Sequence, residues 1–490
     1  MEQHLISVDL GGSKVVAALG KRSVYNETIV VDVVEEAMDG YTSGEITNIK
    51  NVTTAIQKAI TTLESRNSIS VSEVWVSASG KHLVCSDNSG FVYVGGAGGE
   101  ITERDVEKLH ENMNNVQAPE SKIILARIPQ NYKVDAHETI GSPVGQFGNK
   151  LSTTFSFVLG GKAPLERISD AFGRAHITTT HFVAAAMASA SVAASQEEKE
   201  AGVAVIDLGA GTTDLCIIQN NVVRYAASIP IGSAAINKDI QTIGVPNTMI
   251  EKLKTQCGYA TASAIPADKL NNGISINTHS QYQKKKTVAY RDLTAIIEAR
   301  MLDIIDLVNN EIKASGYHDR LPNGIILTGG ASLLNGVEIL FREHTGYEVR
   351  LGTGEFNIAE ESIENTETIK SIYSPAYATV LGLLNLGIEE ANIEACQENG
   401  GDIYEEAPVT KEVYVDPANL QTTPKDEPAQ TQEEENEEEY KNPYDDEVED
   451  EEDYGGSRKP KEKKQNGFFR RLGKWANDTI FGGDTIDDEL

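Results

Sequence analysis

The feature that most constrains this chain is a pattern that occurs twice. Ile6–Leu19 reads ISVDLGGSKVVAAL and Val203–Ile218 reads VAVIDLGAGTTDLCII, each an apolar run, then Asp, Leu-Gly, small residues and a second apolar run. Short Val/Ile-rich runs bounded by glycine are strand signals, and two of them joined by a tight turn make a β-hairpin. The repetition predicts a duplicated domain, each half opening with a hairpin whose turn carries Asp and glycines. Further strands such as Gly324–Thr328 alternate with amphipathic helical stretches such as Leu293–Ile312, which gives an α/β fold with mixed sheets.

Glycine lets the backbone come close to a ligand, and successive N–H groups in such a turn form a nest for phosphate oxygens. Gly11, Gly12 and Ser13 are one candidate nest; Gly209, Gly211, Thr212 and Thr213 are the other. Asp9 and Asp207 end their strands before these turns, where they would hold a hydrated Mg²⁺ that bridges phosphates. One such turn alone is an ordinary hairpin loop; two facing turns make a phosphate clamp. A third segment, GIILTGGASLLNGV, gives a strand, then Gly329-Gly330 beside a nucleotide base, and Ser332 as the expected N-cap of a following helix.

The 490 residues suffice for about three domains. Cys85, Cys216, Cys257 and Cys396 stand too far apart for a zinc ribbon or a dense disulfide framework, which suits a reducing compartment. No basic leader with an apolar stretch opens the chain, and no run of about 18 apolar residues occurs, so neither secretion nor a membrane span is expected. A net charge of -31 speaks against nucleic acid as a partner. Much of that charge is local, since Glu433–Asp453 carries 14 acidic residues and one lysine. Residues 397–466 are accordingly read as an acidic, disordered, self-repelling linker.

Three glycine turns in this order resemble the ATPase superfamily of actin, Hsp70 and the sugar kinases. The resemblance implies an actin-like two-lobed ATPase fold with duplicated ribonuclease-H-like domains, closing on ATP and Mg²⁺. It adds Lys14 to the first phosphate loop. In MIEKLKTQCGYA it makes Glu251 and Lys254 the ribose and adenine contacts, the plainer alternative being a surface ion pair one turn apart. GGAGGEITERDVEKL, IPQNYKVD and SPVG resemble the inserted subdomain of the bacterial FtsA cell-division family. The expected layout is then a first lobe (1–83 and 165–196), the FtsA-type insertion (84–164), a second lobe (197–235 and 311–396) and its upper subdomain (236–310).

That family resemblance implies self-association into polymers, contact of the insertion with later divisome membrane proteins, and docking of the C-terminal peptide of the tubulin-like FtsZ on RDLTAIIEARMLDIIDLVNNEI, with Arg300 pairing an acidic group. A solvated charge on an amphipathic helix is the plainer reading of Arg300. Where many superfamily ATPases carry a water-orienting Glu or Gln, this chain has Ala185 and Ala186, so hydrolysis is expected to be slow at most.

Residues 467–482 form an expected amphipathic helix. At about 100° per residue Phe468, Phe469, Leu472, Trp475, Ala476 and Ile480 share one sector and Arg470, Arg471 and Lys474 lie opposite. Such a helix lies in an anionic membrane surface, as the family resemblance also implies; docking back on its own core is the alternative. The resulting expectation is a peripheral protein on the cytoplasmic face of the cell membrane at the division site. The competing expectations are a pilus-assembly or plasmid-segregation actin-like protein, or a chaperone or phosphotransferase of the same superfamily.

Overall fold

The computed structural model describes residues 4–23, 27–95, 99–139, 141–277, 285–359 and 370–398. The first half opens as an antiparallel hairpin of β1 (His4–Leu10) and β2 (Lys14–Arg22), in which Asp9 lies opposite Val16. β3 (Thr28–Ala37) continues the meander. A small hairpin of β4 (Tyr41–Thr42) and β5 (Glu45–Ile46) leads into helix α1 (Ile49–Asn67). The side chain of Asn48 caps α1 by accepting from the Asn51 N–H at 3.2 Å. Val52, Ile56, Ala59, Ile60 and Leu63 are buried at spacings of three and four, so one stripe of α1 covers the sheet. β6 (Glu73–Ala78) returns parallel to β1.

Here the chain leaves the lobe for a separate sheet. β7 (Val84–Tyr93), α2 (Glu103–Asn114), β8 (Lys122–Val134), β9 (His137–Glu138) and β10 (Lys150–Gly161) form strands in the order β7-β10-β8-β9. α2 buries Leu109 and Met113 against Val92, Leu151, Phe155 and Phe157, an apolar cluster distinct from the lobe's own. α3 (Lys162–Arg174) and β11 (Thr178–Ala184) complete the first lobe, whose sheet runs β11-β6-β1-β2-β3.

α4 (Ala185–Ala193) and α5 (Gln196–Ala201) lead to the second half. β12 (Val203–Leu208) and β13 (Thr213–Gln219) repeat the opening hairpin, and β14 (Val222–Ile229) repeats the third strand. An upper layer follows: α6 (Ala234–Thr242), α7 (Asn247–Cys257), β15 (Gly273–Asn277), β16 (Lys285–Ala289) and α8 (Tyr290–Ala314). β17 (Ile325–Thr328), α9 (Val337–Thr345) and β18 (Val349–Leu351) close the lobe, with the sheet in the order β14-β13-β12-β17-β18. Both central strands have an antiparallel partner on one side and a parallel partner on the other, so the two sheets are copies of one design. The duplication expected from the repeated motif is thus present. β12 is buried at every position, as a central strand covered on both faces must be.

Two local expectations change. The helix after the third turn starts at Val337 with Gly336 as its N-cap at a φ of 77°; Ser332 sits earlier, in a 3₁₀ turn, with its hydroxyl on the Gly329 carbonyl. The last helix, α10 (Ala378–Glu398), follows the second lobe in sequence but packs Val380, Leu381 and Leu384 against Val16, Ala18, Val30 and Val33 of the first lobe's sheet. It crosses α4 so closely that a Cβ at Gly382 would overlap the Ala188 carbonyl.

Candidate functional site

The two hairpin turns have one backbone design. Gly11 N–H donates to the Lys14 carbonyl at 3.0 Å, and Gly209 N–H donates to the Thr212 carbonyl at 3.0 Å, each glycine two residues after its aspartate. The turns meet: a Cβ on Gly12 would stand 2.7 Å from the Gly211 nitrogen, so only glycine allows this approach. The third turn joins them from the neighbouring strand. Gly329 has a φ of 83°, and a side chain there would overlap the Asp207 carboxylate. Sequence-expected residues Gly11, Gly12, Gly209, Gly211 and Gly329 therefore gather in one place, with Gly330 following in the 3₁₀ turn.

Three carboxyls lie beneath these turns. Asp9 Oδ1 accepts from the Ser77 hydroxyl at 2.6 Å, Asp207 Oδ2 accepts from the Thr379 hydroxyl at 2.6 Å, and Asp214 Oδ2 accepts from the Thr212 hydroxyl at 2.8 Å. Burial raises all three: Asp214 is pushed up to about 7, where the charge of Asp207 adds to burial, and Asp207 up to about 6 by burial and then by Asp9. Asp214 Oδ1 is buried without a hydrogen-bond partner. The Tyr41 hydroxyl is buried beside Asp9 and Asp214, and burial pushes it far up. A cluster of buried carboxyls with an unsatisfied oxygen is costly by itself and is suited to a bound cation. Among the described residues no three acidic, His or Cys side chains converge to ligate a metal directly; carboxylate oxygens are the ligand type that suits a cation keeping its own waters.

Thr213 buries its hydroxyl on the Ile231 carbonyl, while the Ser13 carbonyl accepts from the Met38 N–H. Lys14 pairs with Glu35 at 2.6 Å and lies 4.3 Å from the centre of the Tyr377 ring. Glu251 and Lys254 form an ion pair at 2.9 Å on α7, and Asn237 of α6 donates to the same Glu251 oxygen. Arg300 grips Asp239 of α6 through two nitrogens at 2.7 and 3.0 Å and Asp303 at 3.1 Å, so its guanidinium ties α8 to α6. Ala185 and Ala186 are buried in the first turn of α4. Phe468, Phe469, Arg470, Arg471, Leu472, Lys474 and Trp475 lie outside the described residues.

Sequence reasoning missed Asp214 and Thr379 as site residues. The register gives Asp214 away, because the second hairpin pairs it directly with Asp207. Thr379 has no such signal, being brought to Asp207 from 172 positions away.

Two copies of one five-stranded design, with α4 and α10 crossing between them and their glycine turns facing each other, define the actin-like class. The PilM–PilN type IV pilus biogenesis complex has this fold, with a TM-score of 0.55 at 13% identity over 79% of this chain and 100% of that one. The profile described as cell division protein FtsA matches residues 204–382, and that of the SHS2 domain inserted in FtsA matches residues 80–159. The FtsA of Neisseria meningitidis is 27% identical over 81% of this chain and 94% of its own, and that of Bacillus subtilis 27% over 79% and 84%. The chain belongs to the FtsA family of cell-division proteins.

Proposed function

We propose that this protein binds ATP with Mg²⁺ between its lobes, assembles into actin-like polymers and anchors FtsZ filaments to the cytoplasmic membrane while recruiting later division proteins. The observation that carries the nucleotide reading is the meeting of three glycine turns over Asp9, Asp207 and Asp214. In this reading the backbone N–H groups of the turns take the phosphates, the aspartates hold the waters of the cation, and Lys14 leaves Glu35 for a phosphate oxygen. Mg²⁺ would neutralise charge on the phosphates. Glu251 and Lys254 face the ribose and base. With alanines at 185 and 186 no side chain orients a water there, so ATP acts mainly as an assembly ligand that stabilises the closed lobes.

The FtsZ C-terminal peptide docks on α8, where an acidic group competes for Arg300 with Asp303, which is more exposed than Asp239. Among the described residues no helix is long and apolar enough to cross a membrane. Attachment is assigned to residues 467–482, with Phe468, Phe469, Leu472 and Trp475 in the anionic interface and Arg470, Arg471 and Lys474 above it. Co-sedimentation with anionic vesicles tests this directly. FtsZ should pellet with vesicles only when the intact protein is present, and Trp475→Glu should abolish both. Vesicle binding that survives Trp475→Glu undiminished rules out this anchor.

A further inference from the structure

One short stretch, Ser374–Val380, reaches all three glycine turns. The Pro375 carbonyl accepts from the Gly329 N–H at 2.9 Å and from the Thr328 hydroxyl at 3.0 Å. Tyr377 donates its hydroxyl to Glu35 at 2.9 Å, the carboxylate that also holds Lys14, and lays its ring against the Lys14 ammonium. Thr379 donates to Asp207 at 2.6 Å. One residue on, the Val380 carbonyl accepts from the Ser7 hydroxyl of β1 at 2.8 Å, and α10 then crosses α4 at Gly382. Consecutive alternate residues thus hold the adenosine-side turn, the first phosphate turn and the aspartate of the second.

Thr379 differs from the other contacts because its partner is a buried carboxylate. Asp207 is 6% exposed and Thr379 8%, so water supplies little competition for this bond. Ser189 of α4 also stands beside Asp207, but it spends its single proton on the Ala185 carbonyl at 2.8 Å. The principal side-chain donor to the Asp207 carboxylate is therefore Thr379, and Thr379 belongs to the helix seated on the first lobe.

We propose that Thr379 is a positioning residue that aims Asp207 at the hydrated cation of a bound nucleotide and ties that cation to the seat of α10 on the first lobe. The inference rests on the nucleotide reading above. Loss of the hydroxyl leaves the aspartate in place with its orientation unfixed, so cation-dependent affinity suffers while contacts to the nucleotide itself remain.

The test is calorimetric titration of ATP into the full chain, once with excess Mg²⁺ and once with excess EDTA. Wild type should bind more tightly with Mg²⁺. Thr379→Val should lose about tenfold of that gain, with affinity in EDTA unchanged within about twofold, because a hydrogen bond to a charged group is of that size. Thr379→Ser should restore the gain. Thr379→Cys, which keeps the volume and is a weak donor, carries the same expectation as Thr379→Val should that variant not fold. A Mg²⁺ gain equal to wild type in either variant, or a loss equal in Mg²⁺ and EDTA, overturns the positioning role and leaves the nucleotide reading intact. A wild type that binds ATP equally with and without Mg²⁺ also overturns it. Failure of wild type to bind ATP at all defeats the nucleotide reading, and this inference with it.

Discussion

At the scale of single residues, the buried aspartates carry the most information. A carboxyl whose pKa is raised by folding binds protons more readily in the folded chain than in the unfolded one. Over the interval from the ordinary carboxylate range up to about 7, Asp214 therefore lowers stability as pH rises. In cation-free buffer Asp214→Asn should be more stable than wild type at pH 8 by up to about 4 kcal/mol, and the difference should shrink towards zero near pH 4. Urea midpoints for the two proteins at several pH values check this; a difference that does not change with pH would refute it. Asp214 also shows what was legible and what was not. Asp9 and Asp207 stand out because both copies of the motif carry them, whereas the position opposite Asp9 is Val16 and the repeat therefore hides its counterpart, Asp214. Arg300 is a similar case: its helix is plain in the sequence, but Asp239, which holds it, lies 61 positions upstream on another helix.

At the scale of elements, strands and hairpins followed from local pattern because a hairpin is decided by residues adjacent in sequence. Val203–Leu208 and the β1–β2 hairpin form where the alternation of apolar runs and glycines puts them. Ser332 did not become a cap because Gly336 supplies the left-handed conformation that starts α9 after an intervening 3₁₀ turn. Helix α10 is decided by packing. Its Gly382 allows the α4 and α10 backbones to touch, and α4 contributes the run AAMASASVA, whose small side chains permit the same approach. Gly382→Ala should cost about 2–3 kcal/mol, since a backbone carbonyl cannot yield as a side chain would. Gly173→Ala, on the exposed side of α3 with open space around it, should instead gain about 0.5–1 kcal/mol from helix propensity. Denaturant melts of the two variants separate packing from propensity; equal effects would contradict the close crossing.

At the scale of the whole molecule, duplication explains why the site lies where it does. Each copy of the design delivers one Asp-Gly turn at the same end of its sheet, and the parallel strand beside β12 delivers the third turn. The insertion adds a sheet with its own apolar cluster and leaves the lobe's strand order unchanged. The central claim is that these turns meet to form a nucleotide cleft. Equilibrium titration of ATP with Mg²⁺ into wild type and Gly12→Val tests it most directly, since the added side chain enters the 2.7 Å approach to Gly211. The account predicts saturable binding by wild type and a loss of about tenfold or more in the variant, with its far-ultraviolet circular dichroism unchanged. Equal affinity in the two proteins, or no binding by wild type, would contradict it.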